Sequence, residues 1–219
     1  MTRFILIDNH PIIRLGVRTL LESQSNYKVC AEAFSKIEIW NALKKDCPDV
    51  AIIDIILGKE DGLQLIKEIS NEWPQLKILV MSSQDEMLYA ERAIKAGALG
   101  FISQTNSTRY LLKAVETILS GKIYLAHATS MHLLTRFLRK NPSSPLPRIH
   151  SLSDRELFVY QMIGVGFTTN EIAESLNLSP KTIETYKGHL KRKLQLKDAE
   201  TLKLSAFNWV YKSHPTDSL

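Results

Sequence analysis

Four short apolar runs of this 219-residue chain end in side chains that can do oxygen chemistry. Phe4-Ile5-Leu6-Ile7 runs into Asp8-Asn9-His10, Val50-Ala51-Ile52-Ile53 into Asp54, Leu76 to Met81 into Ser82-Ser83, and Gly100-Phe101-Ile102-Ser103 into Gln104. If the runs are parallel strands, one sheet edge collects two carboxylates, two carboxamides and several hydroxyls, at the carboxyl ends where such sheets hold ligands. Carboxylates within about 4–6 Å repel, and a divalent cation relieves the repulsion. Mg²⁺ suits the set because it takes oxygen ligands and keeps waters. It would also shield Asp54 while that carboxylate attacks a phosphoryl group. There is no glycine-rich phosphate loop and no HExxH helix, which argues against nucleotide-cradling and zinc-protease chemistry. A phosphatase with Asp54 as nucleophile would want a second acid two residues on, where Ile56 stands, so no enzymatic turnover is expected.

A second set lies between Leu152 and Leu194. Ser153-Asp154-Arg155-Glu156 and Thr168-Thr169-Asn170-Glu171 are capping boxes, and Ser179-Pro180 is a hydroxyl cap followed by proline at the first helical position. Gly166 and Leu176-Asn177-Leu178 separate the three helices that these signals start. Helices joined so closely, the last one basic, read as a helix-turn-helix over Thr168 to Lys187. On the third helix Ile183, Tyr186, Leu190 and Leu194 share an inward stripe. Lys181, Glu184, Thr185, Gly188 and Arg192 fall opposite, with Lys187, Lys191 and Lys193 on the flanks. Small and polar residues on an outward face can approach base edges in the major groove. From Ser179 to Lys197 there are six basic residues and one acid, Glu184, a local excess suited to phosphates. It says more than the formal net charge of +5.

The elements that must position these groups follow from periodicity. Strand candidates at Phe4–Ile7, Lys28–Ala31, Val50–Ile53, Leu76–Met81 and Gly100–Ser103 alternate with helical patterns at 12–22, 35–46, 63–73, 85–96 and 107–119. Near-continuous apolar strands between amphipathic helices predict an α/β domain, a doubly wound five-stranded parallel sheet covered on both faces. A small all-α domain follows. Residues 127–140 form an amphipathic helix candidate with Met131, Leu134 and Leu138 on one side, and the Pro/Ser-rich stretch 141–147 breaks it. The expected division is 1–122, a linker 123–147 with a helical first half, and 148–219. Cys30 and Cys47 offer neither metal spacing nor a disulfide framework, and buried thiols are expected. Trp40 and Trp73 are expected to pack in the first domain. With no membrane-length apolar run and no visible signal peptide, a cytoplasmic protein is expected.

Leu152-Ser153-Asp154-Arg155-Glu156, Asn170 to Leu176 and Leu178 to Tyr186 resemble the LuxR-type DNA-binding domain over most of the last third of the chain. The resemblance implies double-stranded DNA as partner, with contacts at Lys181, Thr182, Glu184, Thr185, Lys187, Gly188 and Lys191. It also implies a fourth helix often used for dimerisation; 198–210 fits it, with Leu202, Ala206 and Val210 four residues apart. Glu184 and Gly188 stand where some members carry lysine, so no operator sequence carries over.

Residues 3–122 resemble the flavodoxin-like receiver domain of two-component response regulators, and the whole chain resembles the NarL/FixJ subgroup. Asp54, eight residues ahead of Gly62, matches the phosphoacceptor. Asp8 matches one acid of the metal site, which the resemblance completes with position 9, Asp54 and the backbone oxygen of Ile56. Ser82 matches the switch hydroxyl, which in the family reorients to bond the phosphoryl group. Phe101 matches the switch aromatic, and His10-Pro11 the start of the first helix. Three positions depart from the pattern. Asn9 replaces an acid, which predicts a weakened Mg²⁺ site. Gln104 replaces a lysine and offers phosphoryl oxygens only a neutral N–H. Gly58 replaces a common proline. The resemblance implies a homodimeric transcription regulator, phosphorylated at Asp54 by a histidine kinase or another phosphodonor. It leaves open a degenerate receiver that works without phosphorylation, through dimers or a partner protein.

Overall fold

The computed structural model describes residues 1–138 and 148–212. The chain divides into two compact units, Met1–Asn141 and Pro142–Leu219. The expected 141–147 break lies outside the described residues.

The first unit is built on a parallel sheet. Its strands are β1 (Thr2–Ile7), β2 (Tyr27–Ala33), β3 (Val50–Ile53), β6 (Lys77–Ser82) and β7 (Gly100–Ser103), in the order β2-β1-β3-β6-β7. Between β3 and β6 lies a small antiparallel hairpin, β4 (Ile56–Leu57) with β5 (Glu60–Asp61). The helices between strands are α1 (Pro11–Glu22), α2 (Lys36–Lys45), α3 (Gly62–Glu72), α4 (Glu86–Ala96) and α5 (Ser107–Leu119). All four residues of β3 are buried, as a central strand covered on both faces requires. One face buries Phe4, Leu6, Ile52, Leu79 and Ile102 with Leu111, Val115 and Ile118 of α5. Helices α1 to α4 start at local signals. Pro11 opens α1, and the side chains of Ser35, Asp61 and Asp85 accept backbone N–H bonds at the starts of α2, α3 and α4.

The sheet order reverses at β1, whose two neighbours are β2 and β3. The strand-end ladder carries both carboxylates to that point, with Asp8 N–H on the Ala33 carbonyl (3.2 Å) and Asp54 N–H on the Ile7 carbonyl (2.9 Å). This is the switch-point crevice where open α/β sheets hold ligands.

Two details depart from expectation. The β4–β5 hairpin was not foreseen. Cys30 and Cys47 are free but exposed: β2 is an edge strand whose side chains alternate, so Tyr27 and Val29 point inward and Cys30 outward, and Cys47 lies in the connection between α2 and β3. The helix expected in the first half of the linker forms as α6 (His127–Leu138) and packs against α4, where Glu86 accepts from Thr129 (2.7 Å) and Glu91 pairs with Arg136 (2.6 Å). Trp40 and Trp73 pack edge-on at 5.6 Å, as expected.

The second unit has α7 (Asp154–Val165), α8 (Thr169–Ser175), α9 (Pro180–Leu194) and α10 (Ala199–Lys212). Both capping boxes form, and Ser179 caps α9 ahead of Pro180. Helix α7 is buried along most of its length from Glu156 to Gly164. A Cβ on Gly164 would lie 2.5 Å from the Ala206 carbonyl oxygen, so glycine there lets α10 lie close against α7. Leu202 and Ala206 are consumed in that packing, and Trp209 rests on Tyr160 at 5.6 Å. Leu204, Phe207 and Tyr211 of α10 are large apolar residues left exposed. Among the described residues no helix is long and apolar enough to cross a membrane.

Candidate functional site

The expected acidic edge exists. Asp8 and Asp54 are both buried, at 4% and 2% exposure. They line one small cavity with Ile7, Ile13, Arg14 and Met81. Arg14 does not neutralise the carboxylates, because its guanidinium bonds the Asp8 carbonyl (2.7 Å) and pairs with Glu32 (2.8 Å). Asp8 Oδ1 accepts the His10 backbone N–H (2.7 Å) and lies 2.9 Å from His10 Nδ1, while Asp8 Oδ2 is buried without a partner. One ligand atom from each of Asp8, His10 and Asp54 falls within 4.8 Å of the others. An unpaired buried oxygen facing a second carboxylate is the donor set of a divalent cation, so the residues fit such an ion.

Asp54 feels that surplus of charge. Burial, with the neighbouring Asp8, pushes its carboxyl up to about 6, although the Ser82 hydroxyl and the backbone of Ile55 and Ile56 hold it down in part. Ser82 Oγ donates to Asp54 Oδ1 at 2.6 Å. The hydroxyl expected to turn toward this position is therefore already there. Phe101 is fully buried on β7. Gln104 begins the short helical turn after β7, and its Nε2 is buried with no acceptor. Asn9, between Asp8 and His10, is exposed. Ile56 opens β4, and its backbone N–H donates to the Asp54 carboxylate.

Gly62 is the hidden support. A Cβ there would lie 2.2 Å from the Ile55 carbonyl oxygen and 2.7 Å from its carbonyl carbon and Cα. The start of α3 thus seats directly on the peptide that follows Asp54.

On α9, Ile183 and Leu190 are fully buried, whereas Lys181, Glu184, Thr185, Gly188 and Arg192 are exposed. The polar face expected to meet DNA is open. An added Cβ on Gly188 would touch nothing within 4 Å, so no packing inside the unit explains that glycine. Two of the expected cations are engaged. Lys187 Nζ bonds Glu184 (2.8 Å) and the Thr169 hydroxyl, and Lys193 Nζ bonds Glu156 (2.6 Å) and the Ser151 carbonyl (3.2 Å). Burial alone would raise Glu156, yet the bonds from Lys193 and Ser153 outweigh it and hold its carboxyl below the usual range. Lys193 is thus a clamp from α9 to the start of α7. The sequence reading missed the seat of Gly62 on Ile55, the Lys193–Glu156 clamp, 37 residues apart, and the approach of His10 to Asp8, for which the i, i+2 spacing was the available signal.

Comparison with known proteins agrees with both halves. The response regulator receiver domain matches residues 4–116, and the family of bacterial regulatory proteins of the luxR type matches residues 150–206. A putative transcriptional regulator of Pseudomonas aeruginosa is 36% identical, over 89% of this chain and 91% of its own. Among solved structures, RcsB from Salmonella enterica serovar Typhimurium, bound to promoter P1flhDC in the presence of phosphomimetic BeF3⁻, has a TM-score of 0.75 and 25% identity, covering 96% of this chain and 98% of its own. A structure of two RcsB dimers bound to two parallel DNAs has a TM-score of 0.56 and 28% identity, covering 94% and 98%.

Proposed function

Because this chain belongs to the DNA-binding response regulators with a receiver and a luxR-type domain, we propose that Asp54 receives a phosphoryl group from a histidine kinase or another phosphodonor, and that this favours a homodimer bound to paired half-sites. The observation that carries the reading is the buried Asp54 carboxylate, bonded by Ser82 and sharing its cavity with Asp8. An oxygen of Asp54 attacks phosphorus, the bond to the donor breaks, and the donor leaves with the electron pair. A divalent cation, Mg²⁺ in the ordinary case, held by Asp8, Asp54 and the Ile56 carbonyl, would neutralise the charge gathering there. Asn9 leaves that ion one carboxylate fewer. Ser82 then bonds a phosphoryl oxygen, and the unpartnered Gln104 amide supplies a neutral donor. The modification selects among states the protein already visits.

In this reading residues 1–122 receive the signal, 123–147 connect, and 148–219 bind DNA on the cytoplasmic side. The helix-turn-helix of Thr168 to Lys187 reads duplex through Lys181, Thr182, Glu184, Thr185 and Gly188, with Lys191 on phosphate. Lys187 joins once its bond to Glu184 opens. The RcsB dimers on DNA support the homodimer.

Incubation of the full chain with acetyl phosphate and a divalent cation, followed by intact mass, tests the phosphoryl step. One added phosphoryl group, absent from Asp54→Asn, is expected. The departures at Asn9 and Gln104 favour a second reading, a regulator active without phosphorylation. An unchanged mass beside a competent control receiver would establish it in place of the first.

A further inference from the structure

We propose that His10 is a metal ligand in this chain, and that with Asp8 and Asp54 it makes a nitrogen-containing site that takes Co²⁺, Ni²⁺ or Zn²⁺ in preference to Mg²⁺. The inference deepens the reading of this pocket as a phosphoryl-accepting site.

Four observations carry it. The imidazole of His10 and the carboxylates of Asp8 and Asp54 each bring a ligand atom within 4.8 Å of the others. Asp8 is 4% exposed, its Oδ2 has no partner, and the cavity it shares with Asp54 lies beside it. The nearby guanidinium of Arg14 is held by the Asp8 carbonyl and Glu32 and leaves that oxygen unpaired. Asn9, exposed and uncharged, removes the oxygen anion that would favour a hard cation.

Ligand chemistry sets the selectivity. Mg²⁺ wants oxygen and water, whereas imidazole suits the later first-row ions, whose affinities rise toward copper. An aspartate pair with one imidazole is thus a mixed N/O set. The side chain of His10 is 57% exposed, so the ring has room to trade its bond to Asp8 for a bond to the ion. Asp8 would then bond the ion through the oxygen that now lacks a partner.

The test is a titration of the metal-free full chain with Co²⁺ alone, read by its visible d–d absorption, and with Mg²⁺ by calorimetry. No phosphodonor is present. Wild type is expected to bind Co²⁺ at least about tenfold more tightly than Mg²⁺, and His10→Ala to lose about tenfold for Co²⁺ with little change for Mg²⁺. Asn9→Asp should tighten Mg²⁺. Asp54→Asn identifies signals that arise at other histidines, since those survive it. His10 lies on the surface, so circular dichroism of His10→Ala should match wild type. Co²⁺ affinity unaffected by His10→Ala, or Co²⁺ bound no better than Mg²⁺, overturns the proposal and shows His10 to be only the partner of Asp8. Acceptance of a phosphoryl group from acetyl phosphate is read separately by mass, so failure of one reading is distinct from failure of the other.

Discussion

Asp54→Asn should make the protein more stable at neutral pH, in metal-free buffer, by roughly 2–3 kcal/mol. The carboxyl sits at about 6 against its ordinary 3.8, chiefly through burial and then through Asp8. Displacement of that size costs the ionised native state roughly 3 kcal/mol. The sign follows from proton binding. Between about pH 4 and 6 native Asp54 keeps a proton that the unfolded chain has given up, so stability falls as pH rises through that window. Above about 6 the penalty is complete, and below about 4 it is gone. Asparagine keeps the shape and an oxygen for Ser82 but carries no charge. Thermal melts at pH 7.5 should therefore rise by roughly 5 °C or more, and the difference should shrink toward zero near pH 4. A variant no more stable than wild type at pH 7.5, or a gain that ignores pH, would show that Asp54 is not held against its charge.

Gly62→Ala should have the opposite effect, and a large one. The added methyl has no flexible neighbour to displace: within 2.7 Å it meets only the Cα, carbonyl carbon and carbonyl oxygen of Ile55. Overpacking of this kind costs about 1–3 kcal/mol and occasionally more. A backbone obstacle places this case at about 3 kcal/mol. The shift also reaches the site, since Ile55 follows Asp54 directly. Urea melts should show the loss, and phosphoryl transfer from acetyl phosphate should slow well beyond what the unfolded fraction explains. Wild-type stability with a wild-type rate would mean that α3 can move away without disturbing the loop.

Local order was legible where local chemistry decides it. Val50–Ile53 reads as a buried strand because every residue is apolar, and α7, α8 and α9 begin where Ser153, Thr168 and Ser179 offer oxygens to the backbone. The two faces of α9 were equally plain, because Ile183 and Leu190 recur at helical spacing opposite Lys181, Thr185 and Gly188. The pattern behind Asp8 and Asp54 was visible because both carboxylates end apolar runs. What escaped the sequence depends on contacts between distant residues or on very short elements. The strands Ile56–Leu57 and Glu60–Asp61 are too brief for alternation to show. The reason for Gly62 appears only when Ile55 lies against it. Lys193 looked like any flanking cation of a basic helix until Glu156, from another helix, claimed it. Lys187 and Glu184 stand three apart on one helix, a spacing that permits their pairing but does not say whether phosphate would prevail.

The claim on which the rest depends is that the exposed face of α9 meets duplex DNA. It is tested by the affinity of the full chain for a mixed-sequence duplex of about 30 base pairs, long enough for two half-sites one helical turn apart, across a salt series. Log affinity should fall linearly with log salt. Lys181→Ala and Lys191→Ala should each weaken binding and reduce the slope by about one, because each removes one cation from the phosphates. A duplex affinity indifferent to salt, or both variants keeping the affinity and slope of wild type, would contradict the account.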